Sequence, residues 1–518
     1  MQRNRIISPA IASIFIFAWL ISGPLFSQDV NLNRNYSLSF RNNTFRQVLD
    51  SIQTYTNLGF SYNPDYIGSI VHYTGNFTKQ PLHAILDSVF GSFGLTYKLV
   101  GTTIAVSGEK NAGNQTANTT TEAPALPDTA KIYEYSGKVC DHKGRKPIPF
   151  ANIYFKNQTV GTISNADGYF VLKVPERLQH DTVVFSFIGY QSVRKCAADL
   201  DTGTNQVILE PFNYELKEVT IRNYKPEEII KKAIENIPQN YSNEPQLYTA
   251  FYRETLQKNR EYVDLSEAVI LINKAAYTSY ANDRAKIYKG RRTRLTQKND
   301  TIAFKLQGGI YTSLLLDIAK NNSNFMSNEY FPYYNFSIED ITSINGNTVY
   351  VIAFDQKENV NYPLFTGKIY IDTETLAIVR ADFMLSPKGI SEAAGMLVRK
   401  SPRGMKVKPV ESHYTVDYSL NNNKWYLSHV SEEIKFKIRR RFKIFNAEYN
   451  SVAEMVVTEI DSVGSPKFKL NETVRPNDIF TENLGTYDPG FWGNFNYIKP
   501  EESLVEAIKE NAGRLRVK

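Results

Sequence analysis

The sequence predicts a multidomain protein of α+β and all-β class: a βαβ-repeat module, then a β-sandwich, then a large curved antiparallel sheet with flanking helices. Three observations lead to this prediction. Residues 36–106 contain a duplicated strand–helix–strand pattern. Residues 137–190 alternate short apolar runs with Gly, Pro and Asp-Gly turns. After residue 225, long segments alternate apolar and polar side chains, as half-buried strands do.

The first 27 residues are typical of a secretory signal peptide. Arg3 and Arg5 precede an apolar run over 11–21, and we expect cleavage between Ser27 and Gln28. The alternative is an uncleaved anchor, but the run is shorter than the roughly 20 residues that span a bilayer. No cysteine stands directly after the run, which disfavours a lipid-anchored lipoprotein.

Length and charge limit the classes of function. The 518 residues are 42% hydrophobic, which is ample for several cores. The net charge is +7, and cleavage of the leader removes two arginines and no acids, leaving +5. This mild charge argues for neither nucleic acid nor a strongly acidic substrate. We expect localisation in the periplasm or at the periplasmic face of the outer membrane of a Gram-negative bacterium.

The duplication runs from 40 to 62 and again from 77 to 97. Each copy has a Phe, polar residues, a helix containing Leu-Asp-Ser, then Gly and a final Tyr. Each helix carries an apolar stripe at helical spacing, formed by Phe45, Val48, Leu49 and Ile52 and by Leu82, Ile85, Leu86 and Val89. Pro81 favours a helix start.

This duplicated segment resembles the secretin and TonB short N-terminal (STN) domain. The resemblance implies contacts with other periplasmic proteins, and we assign the domain to 28–107. Residues 108–131 follow as a flexible linker, because they are rich in Asn, Thr, Ala, Gly and Pro and contain no aromatic residue.

The next segment is predicted to form a compact β-sandwich. Apolar residues alternate along 152–155 and 169–174, and Asp167-Gly168 suits a tight turn with positive φ. Gly189 is expected to relieve a crowded bend. The segment resembles the carboxypeptidase regulatory-like domain through Gly137, Val139, Asp141, Gly144, Pro147, Ile148, Ala151, Asn152, Gly161, Thr162, Asp167, Gly168, Phe170, Ser186, Gly189 and Tyr190.

That resemblance implies a non-catalytic, transthyretin-like accessory domain over 132–222. Such domains occur in envelope proteins related to the TonB-dependent outer-membrane transporters of the Bacteroidota. The segment also contains both cysteines, Cys140 and Cys196. In an oxidising compartment they could form a disulfide or remain two separate buried thiols, and spacing alone does not decide whether their Cα atoms approach within about 7 Å.

Residues 223–518 are assigned to one C-terminal β-rich domain. A helix is predicted over 226–237, a hairpin turn at 421–423 and a terminal helix after Pro500. The strongest strand patterns cover 349–354, 366–383, 411–420, 424–438 and 442–461. Residues 367–383 resemble the repeated hairpin of periplasmic lipoprotein-sorting half-barrels.

One strand carries a basic contact face. A period of two places four cations on one side: Lys435, Lys437, Arg439 and Arg441. They suit a phosphate-bearing lipid, lipopolysaccharide or an acidic partner. The alternative is an ordinary solvated face whose charge is balanced by Glu432, Glu433 and Glu448.

No catalytic constellation is evident from the sequence. None of the six histidines forms a zinc-hydrolase motif. His413 and Asp417 could share a strand face, but no elbow serine accompanies them. The adjacent carboxylates Glu339 and Asp340 would point to opposite faces of a strand. We expect no enzymatic activity, no cofactor and no metal.

The sequence therefore predicts an exported, non-enzymatic envelope protein that acts as a modular binding or adaptor protein in TonB-dependent uptake or signalling. Its expected partner is a periplasmic or outer-membrane protein, with lipid, lipopolysaccharide or glycan contact and no nucleic acid. Two alternatives remain. One is an envelope hydrolase of peptide or glycan with a site in 223–518, and the other is a truncated transporter-like β-barrel.

Overall fold

The computed structural model forms two compact units, residues 1–121 and 122–518. It describes residues 32–56, 58–62, 72–92, 95–100, 103–108, 131–143, 145–212, 225–295, 305–306, 309–360, 362–393, 397–400, 405–440, 447–461, 468–469, 472–476, 478, 480–482, 484–486 and 490–516. The predicted leader and linker residues 109–130 lie outside these ranges. Strands dominate the described residues.

The first unit contains the duplicated strand–helix–strand pattern. Its elements are β1 (Asn35–Thr44), α1 (Phe45–Thr56), β2 (Gly59–Tyr62), β3 (His72–Pro81), α2 (Leu82–Ser92), β4 (Leu95–Val100) and β5 (Thr103–Gly108). Strand β1 pairs antiparallel with β3, while β5 lies between β2 and β4. The predicted apolar stripes are buried in one core, apart from Phe45, whose side chain lies outside the described residues.

The second unit begins with the predicted sandwich. Its strands are β6 (Ile132–Asp141), β7 (Asn152–Phe155), β8 (Gly161–Ile163), β9 (Tyr169–Pro175), β10 (Thr182–Ser186), β11 (Val193–Cys196) and β12 (Thr204–Leu209). They form two sheets, β11-β10-β7-β8 and β12-β6-β9. Phe155, Phe170 and Phe185 are fully buried between them, as the alternation predicted.

Two glycines of the sandwich have positive φ. Gly168 has φ +79°, and a Cβ there would lie 2.7 Å from the carbonyl oxygen of Val139. Gly189 has φ +80°, but the nearest atom to a Cβ, Thr342 Oγ1, would be 3.5 Å away. The predicted crowding at Gly189 is therefore wrong, and its backbone angle is what requires glycine.

The two cysteines are free thiols. Cys140 is buried on β6, whereas Cys196 ends β11 in the opposite sheet and donates to the carbonyl oxygen of Gln179. The disulfide alternative does not describe this structure, in which both cysteines are free.

The rest of the second unit is built on a large sheet. Its elements are α3 (Pro226–Glu235), α4 (Ile237–Asn240), β13 (Gln246–Lys258), β14 (Glu261–Lys274), β15 (Arg284–Arg294), β16 (Lys305–Leu306), α5 (Ile310–Leu315), β17 (Tyr334–Ile344), β18 (Asn347–Gln356), β19 (Phe365–Asp372), β20 (Ile378–Leu385), β21 (Val398–Lys400), β22 (Met405–Asn421), β23 (Lys424–Arg440), β24 (Ala447–Asp461), β25 (Gly485–Thr486) and α6 (Glu502–Arg516).

The strand order of this sheet is β17-β18-β19-β20-β22-β23-β24-β13-β14-β15-β25. Ten strands are antiparallel to their neighbours, and only the short β25 runs parallel, beside β15. The predicted large antiparallel sheet is confirmed. The predicted turn between β22 and β23 is also present, with φ +47° at Asn422 and +60° at Asn423.

Part of each face of the large sheet is covered. On the helix face, Ile230, Ile237 and Ile310 of α3, α4 and α5 pack against strand residues such as Tyr248. On the sandwich face, Ile163 of β8 packs with Phe251, and the C-terminal segment adds apolar side chains to the same cluster. The covered part of the large sheet is therefore an interior layer of the second unit.

A buried cation lies on the helix face of the sheet. Lys274 Nζ lies 2.7 Å from Asp317 Oδ2 and also bonds Asp283. Tyr277 and Tyr418 donate their hydroxyls to Asp317, at 3.0 and 2.7 Å. Burial opposes the charge of Lys274, but the two carboxylates raise its pKa above the ordinary value. The cluster joins β14, the segment after α5 and β22.

Replacing Asp317 by alanine should lower the free energy of unfolding by about 3–5 kcal/mol, because Lys274 would keep only one buried counter-charge. The control is Asp355→Ala, which removes an exposed partner of Lys388 and should cost less than about 1 kcal/mol. Urea denaturation of both variants measures the difference. Equal losses would show that the buried cluster contributes no more than a surface pair.

Candidate functional site

The predicted basic contact face lies on the exposed side of β23. Side chains alternate along this strand, so that Ile434, Phe436 and Ile438 are buried while Lys437 and Arg439 are exposed. Lys435 is half-buried on the same side. Arg441, the fourth predicted member, lies outside the described residues.

Lys435 is neutralised by acids. Its Nζ lies 2.8 Å from Glu411 Oε2 and 3.7 Å from Glu433 Oε1. The hydrogen bond that Lys435 donates to Glu411 raises the pKa of Lys435. Glu433 is one of the predicted balancing acids and helps to neutralise Lys435. Glu432 is buried on the opposite face of the sheet and cannot neutralise it.

The sequence analysis missed two further cations on β22. Lys406 is in register with Arg439, and Lys408 with Lys437. All four are exposed and form no described hydrogen bond or ion pair. We call Lys406, Lys408, Lys437 and Arg439 the cationic quartet. The alternation Lys406-Val407-Lys408 was a visible signal, but its pairing partner became evident only from the strand register.

The histidine and aspartate that the sequence suggested do not pair with each other. His413 Nε2 lies 2.7 Å from Glu411 Oε1. Asp417 instead contacts His429 Nδ1 at 3.0 Å and Arg380 at 2.6 Å. Burial alone would raise the pKa of Asp417, but these two partners lower it.

His429 lies within the contact between the sandwich and the sheet. Its ring stacks on Phe150, with centroids 5.2 Å apart, and only 1% of the residue is exposed. Its Nε2 has no hydrogen-bond partner among the described residues. The His429–Asp417 pair is thus enclosed by the sandwich.

Hydrogen bonds continue this contact along the edge of the sandwich. The backbone N–H of Ile460 donates to Thr159 at 3.0 Å, and the Thr159 hydroxyl donates to the Ile460 carbonyl at 2.6 Å. Farther away, the Gly189 N–H donates to Ser343 at 2.8 Å. A crevice of about 40 Å³ remains beside Thr159 and Tyr426, which is room for about one water molecule.

A pair of carboxylates on the helix face was not predicted. Glu254 on β13 and Glu432 on β23 are both in register with Ala453 of the intervening β24. The Tyr252 hydroxyl donates to Glu254, and the Ser313 hydroxyl donates to Glu432, each at 2.7 Å. Sequence spacing could not reveal the pair, because the two residues are far apart in the chain.

Both carboxyls have a raised pKa. Burial raises the pKa of Glu254 to about 7 and that of Glu432 to about 8, and the nearby charge of Glu254 adds a smaller rise to the pKa of Glu432. Such values suit general acid or base chemistry. The predicted carboxylates Glu339 and Asp340 differ, since both are exposed and Glu339 pairs with Lys368 at 2.7 Å.

The described residues contain no cluster of three or more His, Cys, Asp or Glu side chains arranged to hold a metal ion. In the same part of the chain, every helix is too short or too polar to cross a bilayer.

Replacing Glu432 by glutamine should flatten the dependence of stability on pH. Between about pH 5 and pH 8 folded Glu432 keeps its proton while the unfolded chain loses it, so the free energy of unfolding should fall as pH rises. The neutral amide removes the contribution of Glu432 to this slope, while Glu254 keeps its own. Glu433→Gln, on the opposite face, should leave the slope unchanged. Urea denaturation across this pH range tests both, and a slope in the Glu432 variant as steep as in the unchanged chain would contradict the assignment.

Residues 135–221 match the family model of the CarboxypepD_reg-like domain, which covers the sandwich. No curated protein matches the chain. The resemblance to the carboxypeptidase regulatory-like domain is therefore confirmed for this segment.

Several solved structures are similar over part of the chain. A LolA superfamily protein from Nitrosomonas europaea is 11% identical, covering 47% of this chain and 98% of its own, with a TM-score of 0.18. A DUF1329 family protein from Desulfovibrio piger is 10% identical, with coverages of 47% and 96% and a TM-score of 0.19. Lipovitellin is 8% identical, with coverages of 48% and 28% and a TM-score of 0.21. Because these scores are low, no conclusion about fold or function is drawn from them.

Proposed function

We propose that this chain is an exported, non-enzymatic cell-envelope protein that binds its partners through exposed surfaces. The observation that carries the proposal is the contrast between its buried and exposed charges. The buried charged side chains form ion pairs with one another, while the cationic quartet is exposed and without a described partner. The carboxypeptidase regulatory-like sandwich agrees with such a protein, because the family implies an accessory domain.

Ion pairing beneath the sandwich supports a structural role for the polar residues there. Arg253 donates to Glu267 Oε1 at 2.8 Å, and Arg291 donates to Glu267 Oε2 at 2.6 Å. Arg253 also donates to the Ile498 carbonyl at 2.7 Å, which fixes the C-terminal segment. Buried charges need such partners, so this set serves packing rather than a substrate.

The first unit is proposed to contact a periplasmic or outer-membrane protein involved in TonB-dependent uptake or signalling. Its duplicated strand–helix–strand pattern supports the resemblance to the STN domain. Tyr55, at the end of α1, is 67% exposed. Tyrosine is enriched at protein interfaces, because its ring buries apolar area and its hydroxyl finds a hydrogen bond.

A hydrolase is the second candidate function. It is favoured by one observation, the pair Glu254 and Glu432 with their raised pKa values. Against it, Glu432 is only 6% exposed, and a general acid must reach its substrate. Turnover of a defined peptide or glycan by the purified chain, lost in Glu432→Gln but kept in Glu433→Gln, would replace the first proposal with this one.

Export is tested by expressing the full chain in a Gram-negative host and determining the amino terminus of the product. The expected product begins at Gln28 and is found in the periplasmic or outer-membrane fraction. Replacing two residues of the apolar run, Ile14→Arg and Phe17→Arg, should keep the full-length chain in the cytoplasm, because the run must be apolar. A product that keeps Met1 in all fractions would contradict export.

Deleting 36–106 should abolish the partner captured by chemical crosslinking in intact cells, because the first unit is a separate compact body. Tyr55→Ala should weaken the same crosslink, whereas Gln53→Ala, an exposed neighbour on α1, should not. The crosslinked products are identified by mass spectrometry. An unchanged set of products after the deletion would end this part of the proposal.

A further inference from the structure

We infer that the cationic quartet docks on the surface of a membrane that contains anionic phospholipids. This inference names the partner of one surface and rests on the proposed export to the envelope. The quartet lies on two neighbouring strands, with Lys406 opposite Arg439 and Lys408 opposite Lys437. Opposed side chains on adjacent strands are about 5 Å apart, and alternate residues along a strand about 7 Å apart. The four cations therefore form a compact rectangular array.

This array is unfavourable in the free protein. Like charges directly opposite each other on a sheet are destabilising. The acid in register with Lys437, Glu448, is exposed and forms no ion pair with it in the described part of the chain. The hydrophobic cluster beneath, which includes Val407, Phe436 and Ile438, holds the strands in place despite the repulsion.

The two segments that carry the quartet contain no acid of their own. Residues 399–410 and 436–447 contain no aspartate or glutamate. Lys435 differs, because Glu411 and Glu433 already neutralise it. In the described part of the chain the quartet therefore keeps its charge, which leaves it available to an anionic partner.

The shape of the array favours a surface over a small ligand. The side chains project from the exposed face of two paired strands, and at Lys437 strand β23 is paired on both sides, with β22 and β24. A single phosphate in a pocket is usually held by free backbone N–H groups in a concave site. An open array of long cationic side chains can instead contact several lipid phosphates at once.

An exposed apolar residue adjoins the array. Val410 lies where the register between β22 and β23 shifts, and it is 39% exposed. An apolar side chain beside cations suits the boundary between lipid headgroups and acyl chains. An acidic protein partner would not need an apolar side chain at this place. Binding of an acidic protein is therefore the competing outcome of the test.

The expected loss of vesicle binding follows from the number of charges removed. Each lysine or arginine close to an anionic membrane strengthens binding about fivefold. Removing two charges should weaken the partition to anionic vesicles about 25-fold. Raising the salt to 1 M, where the Debye length is about 3 Å, should abolish most of the binding.

The experiment measures sedimentation of the purified mature chain, residues 28–518, with vesicles. One set contains phosphatidylcholine alone, and the other an equimolar mixture with phosphatidylglycerol. The variants are Lys406→Gln/Lys408→Gln and Lys437→Gln/Arg439→Gln. The control Lys143→Gln/Lys156→Gln removes two exposed lysines from the sandwich and gives the same net charge. Thermal denaturation verifies that each variant is folded.

Binding to the mixed vesicles that both quartet variants weaken and the control retains would support the inference. Equal binding to both vesicle types, or equal loss in the control, would overturn it, because general charge or apolar contact would then be responsible. Failure to bind vesicles together with quartet-dependent binding of soluble polyglutamate would assign the surface to an acidic protein. None of these results depends on export. A failure of the chain to bind vesicles would therefore not decide whether it is exported.

Discussion

The second unit depends on one constraint, which is that both faces of its large sheet carry apolar side chains and must be buried. Helices α3, α4 and α5 cover one face. The other face carries Phe251 and Val456, which pack against Ile163 of the sandwich and against Trp492 and Ile498 of the C-terminal segment. Burial of this apolar area is the main driving force that holds the sandwich to the sheet. The sandwich is thus part of the core of the unit.

Enclosure by the sandwich determines the chemistry of the polar residues beneath it. A charge that is removed from water must find a partner, and Asp417 accordingly contacts both His429 and Arg380. The cation–π contact of Arg380 with Phe187, 5.8 Å from the ring centroid, adds a further link to the sandwich. Asp417, which the sequence suggested could share a strand face with His413, therefore belongs to the contact between the sandwich and the sheet.

The same sheet face has a different character farther along β22 and β23. Lys437 and Arg439 lie eight and ten residues beyond His429 on the same side of the strand and are exposed. Water solvates these cations, so they need no internal partner and can remain available to an anionic surface. One pair of strands therefore combines a buried structural segment with an exposed cationic one.

The sequence by itself indicated the helix stripes, the turns and part of the strands, because these depend on local periodicity and on turn residues such as Asp167-Gly168 and Asn422-Asn423. It also determined the identity of the sandwich, since the residues of its family lie close together in the chain. Only the tertiary structure decided that Asp417 pairs with His429, that Glu254 and Glu432 share a site, and that Lys406 and Lys408 complete the cationic quartet. These relations depend on strand register and on contacts between distant segments, which the spacing of residues along the chain does not encode.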